Sequence, residues 1–150
     1  MPLIESLKKV QIFTGLSQEE LGRIAALCQQ RVHDKGTTIL SEGETSRELF
    51  IVGQGMVEVS LGRAEYATPV MRLGMGQVVG EMSLVDRGAR SATAKAVSDE
   101  TVLYVIPHDA FLELCEADNH IGFIVMRNLA AEISLKLRYY NIAGQMDADR

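Results

Sequence analysis

A glycine, an acid and an arginine lie close together in the middle of the chain, at Gly80, Glu81 and Arg90. Gly80 has no side chain, so the backbone at this position can approach a ligand closely. Residues 81–84 suffice for one helical turn, whose first N–H groups have no partner within the helix and therefore favour an anion. The fixed charge and forked donors of Arg90 also suit a phosphate. These residue types in this order indicate a phosphate-binding site.

Glu81 needs a separate explanation, because a carboxylate repels a phosphate bound beside it. In dinucleotide sites, an acidic side chain accepts a hydrogen bond from a ribose hydroxyl next to the phosphate cradle. The combination therefore favours a small ligand that carries both a ribose-like hydroxyl and one phosphate. The residues alone leave open a second interpretation, which is an ordinary surface turn with an ion pair between Glu81 and Arg90.

The segments Gly80-Glu81-Met82-Ser83-Leu84 and Arg90-Ser91-Ala92-Thr93 resemble the two halves of the phosphate-binding cassette of cyclic nucleotide-binding domains. That family includes the regulatory subunits of protein kinase A, cyclic-nucleotide-gated channels and the bacterial catabolite activator protein. The resemblance extends from about Leu7 to Tyr140. It implies that the ligand is a cyclic mononucleotide and that no cofactor or metal is needed.

The resemblance also implies a role for each residue of the cassette. The glycine and the two amides that follow Glu81 would hold the cyclic phosphate, Arg90 would neutralise it, and Ser91 would add a donor. The carboxylate of Glu81 would accept the ribose 2′-hydroxyl. The complete set of expected ligand-binding residues is Val79, Gly80, Glu81, Met82, Ser83, Arg90, Ser91, Ala92, Arg138, Tyr139 and Tyr140.

The base is expected to be adenine. A hydroxyl such as that of Ser91 can contact a guanine amino group, but bacterial activators with serine at this place bind cAMP, so cAMP is favoured over cGMP. We therefore expect a regulatory sensor. We do not expect an enzyme. The sequence has no nucleophile paired with a base, and its three histidines are not at metal-ligand spacing. The alternative is an interaction or dimerisation module whose pocket is vestigial and which acts on a partner protein.

The composition is that of one globular domain spanning residues 1–150, with 47% hydrophobic and 23% charged residues. A net charge of −5 argues against direct binding of nucleic acid. There is no run of about 18 apolar residues that could span a membrane. Cys28 and Cys115 are expected to be reduced thiols of a cytoplasmic protein.

The elements that must position the cassette fall into three regions. Residues 1–28 predict N-terminal helices, one over 3–13 and a second that begins with a capping box from Ser17 to Glu20. Residues 107–142 predict C-terminal helices, with Pro107 in the first turn of the first of them. The remaining residues, 143–150, are small and polar and should form a frayed tail.

Between residues 30 and 106, short β-prone runs alternate with glycine turns, which predicts a sandwich or barrel of many strands. Gly53-Gln54-Gly55 should form a hairpin turn. After it, Val57, Val59 and Leu61 should share one face, opposite the polar residues between them. The family resemblance implies an α+β fold built on an eight-stranded antiparallel jelly-roll barrel. The expected strands are Val32, Thr38–Leu40, Glu48–Val52, Met56–Leu61, Ala67–Leu73, Ser91–Val97 and Thr101–Ile106.

The last helix, 119–142, should be capped by Asp118 and carries two apolar stripes where a surface helix needs one. One stripe should meet the barrel and the other a second subunit, so we expect a homodimer through this helix. The family resemblance makes the same helix the lid over the base, where Arg138, Tyr139 and Tyr140 reach the ligand. Because 150 residues leave no room for an effector, we expect either a regulatory domain that acts on an effector protein or domain, or a fragment of a longer protein. The stripes are Met126, Leu129, Ala130, Ile133, Leu137 and Tyr140 on one side, and Ile124, Ala131, Leu135 and Ile142 on the other.

Overall fold

The computed structural model describes residues 2–62, 66–85 and 88–148. The helices are α1 (Pro2–Lys8), α2 (Gln18–Ala25), α3 (His108–Ala117) and α4 (Asn119–Ala148), with 3-10 turns η1 (Gln11–Phe13) and η2 (Glu81–Leu84). The strands are β1 (Gln29–His33), β2 (Thr38–Leu40), β3 (Glu48–Gln54), β4 (Val57–Leu61), β5 (Thr68–Leu73), β6 (Val78–Val79), β7 (Thr93–Ala96) and β8 (Thr101–Pro107).

The strands form two four-stranded antiparallel sheets, in the orders β1-β8-β3-β6 and β2-β7-β4-β5. This arrangement, with helices before and after it, confirms the predicted α+β jelly roll. β3 lies between two cores and is buried on both faces. Leu49 and Ile51 belong to the core under the helices, whereas Phe50 and Val52 belong to the core between the sheets. The cassette therefore begins beside a strand that is packed on both faces, because β6 pairs with β3.

The predicted hairpin at Gly53-Gln54-Gly55 is wrong, because β3 and β4 pair with other strands in different sheets. The segment instead carries the chain from one sheet to the other. A Cβ at Gly53 would lie 2.5 Å from the ring of Tyr104, so this crossing passes too close to the core for a side chain. Gly53 is needed because the backbone passes close to Tyr104, and Gly55 is needed because its φ of +87° is left-handed.

The predicted alternation in β4 also fails at its end. The register between β4 and β5 shifts between Val59 and Ser60, which is a β-bulge. Val59 pairs with Met71 and Ser60 with Pro69, so the extra residue, Val70, lies in β5 and not in β4. At this end of β4, Ser60 is buried and Leu61 is 48% exposed, the reverse of the pattern expected from the sequence.

At the N-terminus, the predicted helix over 3–13 is broken into α1 and η1. Val10 is extended, with φ −75° and ψ 121°, at the start of η1. The break allows Ile12 and Phe13, neighbours in sequence, to enter the core together with Leu7 and Val10. The predicted capping box of α2 is confirmed, since the Ser17 hydroxyl accepts from the Glu20 amide.

Of the two C-terminal helices, α4 begins as predicted and ends later, whereas α3 begins one residue after the predicted start. The prediction that Pro107 lies in the first turn of α3 is wrong, because Pro107 is the last residue of β8 and pairs there with Glu48. The Asp118 carboxylate accepts from the amide of Ile121 at 3.3 Å and caps α4. The helix then continues to Ala148, so residues 143–148 are helical and not the predicted frayed tail. Over the described residues, no helix has both the length and the apolar character needed to cross a bilayer.

The two apolar stripes of α4 do not correspond to two faces of equal burial. Ile124 and Leu129, one from each stripe, are both buried in the body of the domain. Further along the helix, Leu135 is 70% and Leu137 is 58% exposed. Burial therefore changes along the length of α4 more than around it, because the body of the domain covers only its first half.

Candidate functional site

The cassette begins where β6 ends and Gly80 takes a left-handed conformation, with φ 89° and ψ 11°. A Cβ at this position would lie 2.6 Å from Nη1 of Arg90 and 2.9 Å from the carbonyl oxygen of Glu48. Glycine is therefore required both by the backbone angle and by the space that the guanidinium occupies. The predicted single helical turn follows directly as η2.

The side chain of Arg90 is only 6% exposed and lies against the start of the cassette. Its Nη2 donates to the carbonyl oxygen of Glu48 at 2.7 Å and its Nη1 to that of Gly80 at 3.5 Å. Nε donates to the hydroxyl of Ser46 at 3.1 Å. The guanidinium also lies over the ring of Phe50, 6.0 Å from its centroid. Arg90 is thus held in one orientation by backbone, hydroxyl and aromatic contacts.

The backbone of Arg90 is fixed by the loop between β2 and β3. The Arg90 amide donates to the carbonyl of Glu44 at 2.7 Å, and the Gly43 amide donates to the carbonyl of Arg90 at 2.9 Å. These reciprocal bonds hold the second half of the cassette against residues 41–47. The loop therefore belongs to the site even though it is distant in sequence.

Three carboxylates surround the guanidinium. Burial lowers the pKa of Arg90, and the charges of Glu44, Glu48 and Glu81 oppose that shift. The guanidinium remains protonated at any pH that the protein experiences. Glu81 is itself 9% exposed. The structure therefore brings Glu81 and Arg90, the predicted acid and base, into one nearly buried site beside Gly80.

His108, at the start of α3, is part of this site and was missed in the sequence. Its side chain is fully buried. Burial and the charge of Arg90 lower the pKa of His108 to about 4, although a hydrogen bond to the backbone of Gly80 raises it. An isolated histidine in the sequence carries no signal for such a contact, because its partner lies in a different element.

The other predicted residues of the cassette differ in exposure. Val79 is buried at the end of β6 and Ala92 is half-buried. Met82 and Ser91 are exposed, beside the turn and at the start of the second half. These positions flank Gly80 and Arg90 but face in different directions. The side chain of Ser83 lies outside the part of the chain that the structure describes.

The predicted lid residues lie on α4. Arg138 is exposed on the helix, and the side chains of Tyr139 and Tyr140 lie outside the described part of the structure. Next to α4, an apolar groove of about 450 Å³ separates the helix from the end of the cassette. Val85 lines its cassette side, and Met126, Leu129, Ala130, Ile133, Ser134 and Leu137 line its helix side.

Among the described residues, nothing supports a metal site or a reactive thiol. Within them, no three His, Cys, Asp or Glu side chains are grouped as metal ligands would be. Cys28 and Cys115 are free thiols, and burial raises the pKa of each to about 11. Thiols of this kind are protonated and unreactive at neutral pH.

A model of the cyclic nucleotide-binding domain family matches residues 30–118. Because this match covers more than half of the chain and includes both halves of the cassette, the chain belongs to that family. The family recognised from the cassette residues is therefore confirmed. Its members are regulatory ligand-binding domains, which agrees with the prediction that the chain is not an enzyme.

The similar proteins include a receptor protein, an activator protein and a protein kinase. The cyclic AMP receptor protein of Thermus thermophilus is 34% identical over 88% of this chain and 59% of that protein. The crystal structure of the Thermus thermophilus catabolite activator protein has a TM-score of 0.79 at 30% identity, over 91% of this chain and 62% of that chain. A cGMP-dependent protein kinase of Eimeria tenella is 32% identical over 71% of this chain and 10% of the kinase. The chain thus spans about three fifths of the first relative and a tenth of the kinase.

Proposed function

We propose that the domain binds a cyclic mononucleotide at the cassette, with cAMP favoured over cGMP, and acts as a non-catalytic regulatory sensor. The observation that carries this proposal is the meeting of Glu81 and Arg90 beside the left-handed Gly80 in one nearly buried site. A nearly buried carboxylate and guanidinium beside one glycine suit a ligand with a hydroxyl and a phosphate on one ring.

Binding requires Arg90 to exchange partners. Its guanidinium donates to the carbonyl oxygens of Glu48 and Gly80, and a cyclic phosphate offers stronger, charged acceptors in the same place. The amides of Met82 and Ser83 and the Ser91 donor complete the phosphate contacts. Glu81 accepts the ribose 2′-hydroxyl, and this contact selects ribose over deoxyribose.

The base extends towards α4 in this proposal. Arg138, Tyr139 and Tyr140 lie on the helix that forms the far wall of the groove, and a tyrosine ring stacked on a purine contributes about 1–3 kcal/mol. Adenine is preferred because the relative with 34% identity is a cyclic AMP receptor protein. The cGMP-dependent kinase relative makes cGMP the competing ligand to test.

The response to the ligand passes from the cassette to α4. A ligand changes a protein only through different affinities for its two states. Val85, close behind η2, already lines the groove along α4, so a shift of the cassette changes the packing of that helix. We further propose that α4 pairs with a second subunit and passes the change to an effector protein or domain.

Titration calorimetry with cAMP and cGMP on one preparation tests the proposal. We expect binding of both, with a lower Kd for cAMP. Arg90→Ala should weaken binding about ten- to a hundredfold, since a hydrogen bond to a charged group contributes about 1.5–3 kcal/mol. Arg72→Ala is the matched control. It removes an exposed arginine of β5 that is paired with Glu58 of β4, and it should not change the Kd. Absence of binding by either nucleotide would overturn the proposal in favour of an interaction module.

A further inference from the structure

Ser46 lies in the loop between β2 and β3, away from the cassette in sequence, and its hydroxyl joins two charged side chains. The hydroxyl accepts from Nε of Arg90 at 3.1 Å and donates to Oε1 of Glu44 at 2.8 Å. We infer that Ser46 is a positioning residue of the phosphate site, which sets the plane of the Arg90 guanidinium without touching the ligand. The inference rests on the proposed function in assuming that Arg90 binds the phosphate.

The orientation of the guanidinium matters because its donors form a rigid planar fork. A phosphate is bound by two parallel N–H donors only when that plane faces it. Nη1 and Nη2 donate to the carbonyls of Gly80 and Glu48, and these are the contacts that a bound phosphate would replace. Nε, the third nitrogen, donates to Ser46, so this contact fixes the plane of the guanidinium.

Glu44 gives the hydroxyl of Ser46 a defined direction. A hydroxyl has one proton to donate and lone pairs to accept with. Because its proton is directed to Glu44, its lone pairs are available to Nε of Arg90. The carbonyl of Glu44 also accepts from the Arg90 amide, so the same short loop fixes both the main chain and the side chain. Of these contacts, the Ser46 hydroxyl can be removed by a substitution without altering the backbone.

Ser46→Ala leaves the charge of Arg90 in place but removes the acceptor that orients Nε. We expect the Kd for cAMP to rise about three- to tenfold, the range given by the loss of one hydrogen bond. Ser46→Thr retains the hydroxyl and should restore binding to near the wild-type Kd. Ser98→Ala is the matched control, because it removes another half-buried hydroxyl that accepts from the Met56 amide at 2.9 Å, away from the cassette. It should not change the Kd.

A double-mutant cycle separates positioning from a general effect on the loop. Lysine at position 90 keeps a positive charge but has no Nε donor for Ser46. In the Arg90→Lys background, Ser46→Ala should therefore cause no further loss of cAMP affinity. If the loss in that background equals the loss in the wild type, Ser46 does not act through Arg90 and the inference is wrong. An unchanged Kd for Ser46→Ala in the wild-type background overturns it equally.

A ligand-free measurement distinguishes failure of this inference from failure of the proposed function. In ¹⁵N NMR spectra of the full chain, the Arg90 Nε–H should exchange slowly in the wild type and in Ser46→Thr, and rapidly in Ser46→Ala. Equal exchange in the three proteins would refute the orienting role whatever the ligand. If the exchange differs as expected but wild-type protein binds neither nucleotide, the proposed function fails and the orienting contact stands.

Discussion

At the scale of single residues, Gly80 meets two requirements that a substitution can separate. Its φ is +89°, and a Cβ there would also displace Arg90. Gly36 has φ +94° with nothing within 4 Å of a Cβ, so it carries the first requirement alone. We expect Gly80→Ala and Gly36→Ala each to lower the free energy of unfolding by about 1–2 kcal/mol through the left-handed backbone.

Only Gly80→Ala should also weaken binding of cAMP, because only there does the new methyl group meet the guanidinium. Denaturant unfolding measures the first effect and titration calorimetry the second. Equal changes in Kd for the two variants would contradict the role given to the contact between Gly80 and Arg90.

His108 should make the stability of the domain depend on pH. Its folded pKa is lowered to about 4 from 6.5, chiefly by burial and then by Arg90, with Arg47 acting in the same sense and Asp109 opposing. The unfolded chain therefore takes up a proton first as the pH falls. The stabilisation is fully present above about pH 6.5 and is lost towards pH 4, by at most about 3 kcal/mol at 1.4 kcal/mol per pKa unit.

His108→Gln removes the titrating group and retains a donor for the backbone of Gly80. We expect its free energy of unfolding to fall less steeply between pH 7 and pH 4.5 than that of the wild type. Carboxylates titrate in both proteins, so the difference between the two slopes isolates the histidine. Identical slopes would show that His108 is not buried in its neutral form.

At the scale of secondary-structure elements, the sequence predicted what depends on neighbours within a few residues. The capping box at Ser17 and the cap at Asp118 both join a side chain to an amide three residues later. Patterns of this kind can be predicted because both partners of the contact lie within a few residues in the sequence. The residues of the cassette are also nearly contiguous, but by themselves they left two interpretations open, and the family resemblance decided between them.

Features that depend on distant partners could not be predicted. The crossing at Gly53 is set by the ring of Tyr104, and the bulge beyond Val59 by the pairing of β4 with β5. The contacts of His108 and Ser46 with the cassette are of the same kind, since each joins residues of separate elements. Propensity and periodicity do not determine which elements meet, so the supporting residues of the site emerged only from the structure.

Besides the shared core, one polar side chain of α4 bonds to the backbone of the N-terminal segment. Nδ2 of Asn128 donates to the carbonyl of Ile12 at 3.0 Å and to that of Thr14 at 2.9 Å. Asn128→Ala removes both bonds and should lower the free energy of unfolding by about 1–3 kcal/mol. Asn119→Ala, at an exposed asparagine in the first turn of the same helix, should change it by less than about 0.5 kcal/mol. Equal values from denaturant unfolding would show that the attachment does not depend on Asn128.

At the scale of the whole molecule, α4 is longer than the body that it packs on. Its 30 residues extend about 45 Å at 1.5 Å per residue. Ile121 and Val125 in its first turns are fully buried, whereas Leu135 is 70% exposed. An exposed leucine alone is ordinary. Its place on a long helix that leaves the domain body is what supports the proposed pairing with a second copy.

Leu135→Glu tests that pairing, because a carboxylate placed between two helices would be desolvated without a partner. We expect the wild type to sediment as a dimer at tens of micromolar and the variant as a folded monomer. Its thermal midpoint should be lower at the same concentration, because it lacks the stabilisation that pairing gives the folded state. Val32→Glu, at a residue 56% exposed on β1, provides the control and should remain dimeric. A wild-type protein that is monomeric at every concentration would contradict pairing through α4. A dimer that survives Leu135→Glu would place the interface elsewhere on the surface, because an unpaired charge buried between two helices is strongly destabilising.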